Sequence, residues 1–271
     1  MHRSQNNKYI AVMKQALWLI AGFALYYIGF KNFEAIMLFF NKWVHYGLAG
    51  YFWAYVAVGI PIFAAVCIIN KGYNFPAYLG LNGNIGIAFI ASLIFAAPLL
   101  LGGFIFFGLK PVTSVPNLIA QTLFAGFFEE LYFRGFFFGQ LFRKTKLGFL
   151  PSILVCSLIF AAGHLYQSHD AGTLFGVFIT TFMGSVLFAW LFAEWEFNLW
   201  VPIILHTLMN LAWELFAMSE NAFGNMSANI LRGITIALSI ILTLVYKKRT
   251  GRKLAVNRHT LLLKPAAKPL Q

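Results

Sequence analysis

Charge is what this sequence has least of. Only 10% of its 271 residues are Asp, Glu, Lys or Arg, where a soluble domain carries about 25%. Acid is scarcer still: Asp170 is the sole aspartate, and seven glutamates complete the set. Few surfaces remain that could face water. Cysteine is nearly absent, and Cys67 and Cys156 each sit within an apolar run. That excludes a disulfide framework. No glycine-rich nucleotide loop is present, nor is a His-Glu-x-x-His zinc helix. The net charge of +12 has no basic face with interleaved aromatics on a soluble module, so nucleic acid is not an expected partner.

What is abundant is apolar: 60% hydrophobic residues, 31 of them Phe. A membrane-spanning helix needs about 20 mostly apolar residues. Eight runs qualify, at residues 15–30, 48–69, 85–109, 115–142, 147–164, 172–193, 199–216 and 229–246. The expected fold is therefore an all-α membrane bundle of about eight transmembrane helices. A short interfacial piece fits between Lys31 and Tyr46. The first run reads as a retained anchor rather than a removed signal, because no small-x-small cleavage site precedes Lys31.

Eight spans put both termini on one side. That side collects Arg3, Lys8, Lys14, Lys71, Arg143, Lys144, Lys146 and the eight basic residues from Lys247 to Lys268. The other side collects Lys31, Lys42, Lys110 and Arg232. The positive-inside rule then predicts a multi-pass protein of the cell membrane with both termini in the cytoplasm. The chain divides into an N-terminal three-helix region (1–114), a polar-bearing core (115–246) and a basic tail (247–271) that reads as disordered.

Polar groups at bilayer depth cost roughly 2.5–3.5 kcal/mol for a central charge, so each exception needs a reason. Glu129, Glu130 and Arg134 interrupt the fourth run. Glu130 and Arg134 are four apart and share a helix face. Glu129 lies about 100° around the helix, free to point elsewhere while its neighbour is neutralised. His164 closes the fifth run. His206 and Asn210, four apart, project from one face of the seventh. Taken singly, each has a structural reading as an ion pair, an interfacial histidine or an interhelical hydrogen bond. Together, one Glu with two His is a set that holds or activates a water, with or without zinc, and an Asn can donate to a developing oxyanion. His169 and Asp170 are a further potential metal pair, though a short polar loop explains them better. Glu194 and Glu196 read as solvated loop residues.

The ordered motifs Glu129-Glu130-x-x-x-Arg134, Phe160-x-x-x-His164 and His206-x-x-x-Asn210 resemble the CPBP family of intramembrane proteases, which includes the type II CAAX prenyl endopeptidases and bacteriocin-processing or self-immunity relatives. The resemblance covers about residues 116–215. It implies an intramembrane endopeptidase, a hydrolase acting on a membrane-associated or lipid-modified protein or peptide. By it, Glu129 would take a proton from the attacking water and His164 would help to hold that water. His206 and Asn210 would steady the oxyanion, with Glu130 and Arg134 in support. Zinc held by Glu129, His164 and His206 and a metal-free glutamate mechanism are equally compatible with the spacing. The rival reading is a non-catalytic immunity or scaffold protein, or a transporter with an intramembrane Glu/His relay. No repeat of the kind that marks transporter halves is visible. Depth is a difficulty, since straight spans put His164 and His206 toward opposite ends.

Overall fold

The computed structural model describes residues 2–111 and 114–264. Its helices are α1 (His2–Lys31), α2 (Phe33–Val44), α3 (Gly47–Asn70), α4 (Phe75–Leu79), α5 (Ile85–Phe106), α6 (residues 115–144), α7 (Phe149–Ala162), α8 (Ala171–Glu194), α9 (Trp200–Leu215) and α10 (Met226–Arg249). No named strand occurs among the described residues, only two isolated bridges. The fold is an all-α membrane bundle. Among the described residues, six helices are long and apolar enough to cross a bilayer. The remaining two members of the expected eight, α6 and α9, fall short because of the charges in one and the 16 residues of the other.

Sequence sets the ends of these helices. Asn84, Ser114, Asp170 and Asn225 each accept a hydrogen bond from the backbone N–H three residues on, which satisfies an otherwise orphaned donor. Asp170 is thus the cap of α8, bound by both the N–H and the hydroxyl of Thr173. These bonds hold its carboxyl below the usual range, and they account for its presence without a metal. Short α2 buries none of its residues and leaves Trp43 73% exposed, as suits a helix lying at the interface.

The bundle is apolar outside as well as inside. Phe104, Ile105 and Phe106 face outward on α5, where lipid rather than water covers them. The interior is an aromatic mass in which Phe23 stacks on Phe137 at 4.0 Å and Tyr55 on Phe128 at 4.5 Å. Helix α6 runs through it. Two stretches of α6, Ala120–Phe124 and Glu130–Phe138, are π-helical. The wider i→i+5 turn is rare and recurs at functional sites. Here one such stretch begins at Glu130 itself.

Two expectations are corrected. The tail is not disordered through its described part. Backbone N–H groups of Gly148, Phe149 and Leu150 bond to the carbonyls of Leu262, Thr260 and Leu261, so the returning chain caps the start of α7. Glu194 is not a solvated loop residue either. It is 1% exposed, pairs with Lys247 at 3.5 Å, and accepts the N–H groups of Ala255 and Val256 at 3.0 and 2.9 Å. A buried carboxylate with three donors overrides the low order expected of a basic, proline-ended segment. Glu196 is exposed but pairs with Arg252 at 2.8 Å.

Candidate active site

The site begins where α6 meets α9. Gly126 permits the approach: a Cβ there would stand 2.4 Å from Thr207 Oγ1 and 3.0 Å from its backbone nitrogen. With only a hydrogen in that space, His206 comes directly against the two carboxylates of α6.

Glu130 and Arg134 form the expected i,i+4 pair, Oε1 to Nη1 at 3.0 Å, and neither side chain is exposed at all. Burying two charges is costly unless they are matched. The guanidinium is matched by more than the carboxylate, since it lies 4.3 Å from the ring centre of Phe160 and 5.4 Å from that of Phe188. A flat delocalised cation takes such ring faces readily. Glu130 has a second partner that its spacing in the sequence does not reveal: His206 Nδ1 lies 2.8 Å from the same Oε1. Phe188 stacks on the imidazole at 5.0 Å, tilted by 20°. Three elements, α6, α8 and α9, therefore lock one histidine ring.

That lock sets the chemistry of His206. Its Nδ1–H is spent on Glu130, so a neutral ring turns a bare Nε2 outward as an acceptor. Nε2 lies 4.0 Å from Glu129 Oε2. Glu129 keeps 20% side-chain exposure while Glu130 keeps none, so adjacent carboxylates have different environments.

A single cavity of about 1580 Å³ takes in Glu129, His164, His206 and Asn210. Asn210 donates one amide N–H to the carbonyl of Gln121 at 3.1 Å, which leaves the other for a ligand. His164 Nδ1 lies 2.8 Å from the Phe160 carbonyl. That carbonyl can only accept, so Nδ1 carries a proton; Nε2 is then an acceptor in the neutral ring and a donor in the doubly protonated one. Tyr51, Tyr55 and Tyr166 add to the walls. The lining of the cavity includes both His206, near the middle of α9, and His164, just past the end of α7.

Glu130 and Arg134 do not line the cavity. The residue that sequence reasoning missed is Phe188, which covers both Arg134 and His206. As one of 31 phenylalanines, it carries no signal of its own.

The zinc reading does not fit the donor set as placed. Among the described residues no three His, Cys, Asp or Glu side chains group closely enough to hold a metal. Glu129 Oε2 and His206 Nε2 are 4.0 Å apart, wider than the roughly 3.4 Å between two ligands at about 2.0–2.1 Å from a tetrahedral zinc.

Residues 111–212 match the family described as type II CAAX prenyl endopeptidase Rce1-like. A protein of Bacillus subtilis (strain 168), named "Putative membrane peptidase YdiL", is 34% identical over 103 residues, a stretch that makes up 38% of each chain. The chain thus spans under two fifths of the length of that curated relative. No solved structure matches. The matched stretch contains α6, α7, α8 and most of α9, the four elements that build the site.

Proposed function

We propose that this chain, whose residues 111–212 match the type II CAAX prenyl endopeptidase Rce1-like family, is an intramembrane endopeptidase in which Glu129 activates the attacking water. The observation that carries this is the 4.0 Å gap between Glu129 Oε2 and His206 Nε2, opening on a cavity inside an apolar bundle. The gap is too wide for a direct hydrogen bond, and it suits one water bridging both acceptors.

Such a water donates both hydrogens, one to each acceptor, and turns its lone pair toward the cavity. On attack at a peptide carbonyl carbon, Glu129 takes the water's proton. The carbon–oxygen bond forms as the carbonyl π pair moves onto oxygen, and the free N–H of Asn210 supports the resulting oxyanion. Glu129 then returns its proton to the departing amine as the carbon–nitrogen bond breaks. His164 lines the same cavity, and when doubly protonated its Nε2–H can donate to the lone pair of the water that the attack does not use. His206 acts on the water side in its neutral form, and it becomes an oxyanion donor only when doubly protonated. Glu130 orients His206, and Arg134 neutralises Glu130. No step runs through a metal.

The substrate class is a peptide or protein associated with the membrane, either lipid-modified or bacteriocin-like. Purified protein in detergent should cleave candidate membrane peptides, and Glu129→Gln should lower the rate by about 10²–10⁴-fold, the usual worth of a general base. Cleavage that survives the substitution contradicts the proposal. Activity should also persist with 1,10-phenanthroline or EDTA present.

A further inference from the structure

The connections that line the cavity all lie at one end of the bundle. Its lining comes from the end of α1 and from α2 (Lys31, Asn41), the start of α6 (Asn117), the 163–167 turn, and the 220–222 connection. Among the described residues, none of the lining comes from the connections at 71–84, 145–148 or 195–199. That opposite end is closed by side chains and by backbone. Leu79, Phe192 and Leu199 are fully buried there, and Leu199 N–H bonds to the Gly80 carbonyl at 2.9 Å. The returning tail covers the start of α7 on the same end.

The two ends differ sharply in charge. The closed end carries Lys71, Arg143, Lys144, Lys146 and the basic run from Lys247 to Lys264, against only Glu194 and Glu196. The open end carries Lys31, Lys42, Lys110 and Arg232, balanced by Glu34, Asp170, Glu214 and Glu220. An excess of Lys and Arg marks the cytoplasmic side of a membrane bundle. From this asymmetry we infer that the cavity opens away from the cytoplasm, and that its substrate is a peptide or protein segment presented at the extracytoplasmic face. A prenylated C-terminus exposed in the cytoplasm meets the packed end, whose connections contribute nothing to the cavity lining. The substrate part of this inference rests on the protease reading above, whereas the direction of opening does not.

Two measurements separate these parts. Single cysteines at Tyr166 and Met226 mark the open end, both highly exposed at 79% and 80%. Single cysteines at Tyr73, 90% exposed, and at Arg258 mark the closed end. The wild type sets the background, since Cys156 is buried and Cys67 lies within a span. In right-side-out vesicles a membrane-impermeant maleimide should label Tyr166→Cys and Met226→Cys before detergent is added, and Tyr73→Cys and Arg258→Cys only afterwards. The reverse order overturns the inference. Next, the protein is reconstituted in liposomes of known orientation with an impermeant quenched-peptide pool on one side. Cleavage should occur only with peptide at the open end and should vanish in Glu129→Gln. Cleavage from the basic end alone overturns the inference while sparing the protease reading. Failure to cleave from either side contradicts the protease reading and the substrate class with it, leaving the labelling to decide the opening.

Discussion

His206 binds Glu130 through Nδ1 and faces Glu129 through Nε2, so one imidazole divides two neighbouring carboxylates into different jobs. Removing Arg134 as Arg134→Ala leaves Glu130 buried without its cation, a change that typically costs about 3–5 kcal/mol. Thermal unfolding in detergent should fall accordingly. The double variant Glu130→Leu/Arg134→Met removes both charges and should regain much of that stability, yet remain inactive because His206 has lost the acceptor that fixes its ring. Recovery of cleavage together with stability would show that the pair serves only the fold. The candidate residues were legible one by one, because charge is so rare in these runs that Glu129, Glu130, Arg134 and His206 stand out as costly. Their partnerships were not. Spacing pairs Glu130 with Arg134 along one helix, but the bond to His206 crosses between helices 76 positions apart, and Phe188 is chemically indistinguishable from its many counterparts in the sequence.

Helix α6 is the element on which the site turns. Its charges and its π-helical stretches set it apart from straight apolar spans, and the gap at Gly126 admits α9. Gly126→Ala already places a Cβ 2.4 Å from Thr207 Oγ1, and Gly126→Val adds more bulk. Forcing the helices apart should cost roughly 1–3 kcal/mol through overpacking. It should also widen the Glu129–His206 gap, so cleavage should drop further in Val than in Ala. Equal activity in both variants and the wild type would separate the helix crossing from the chemistry. Hydropathy made several long helices readable almost to the residue: α3 was expected at 48–69 and runs Gly47–Asn70, whereas α1, expected at 15–30, begins at His2. The extent of α9 was readable too, expected at 199–216 and found at Trp200–Leu215. Hydropathy gave no warning of the π-turns in α6.

Across the whole molecule, a lipid-facing shell forms a vessel whose cavity is lined toward the less basic end, while Leu79, Phe192, Leu199 and the returning tail pack over the basic end. The basic tail belongs to that packing. Glu194→Ala removes the acceptor of two tail N–H groups and the partner of Lys247. Trypsin should then cut at Lys253 and Arg258 markedly faster than in the wild type. Unchanged cutting would mean that the tail is held by its other contacts, those of Gly148–Leu150 and the Glu196–Arg252 pair among them. Composition pointed to disorder here because it registers charge and proline but not a buried carboxylate waiting 60 residues upstream. Membrane character, in contrast, follows from apolar runs that need no tertiary information. The central claim is that Glu129 is the base of a peptide hydrolysis within this vessel. The most direct test is mass-spectrometric identification of cleavage products from a membrane peptide incubated with purified wild-type protein and with Glu129→Gln, both shown folded by their unfolding curves. Products should appear with the wild type and be lower by at least about 100-fold with the variant; equal product in the two would contradict the account.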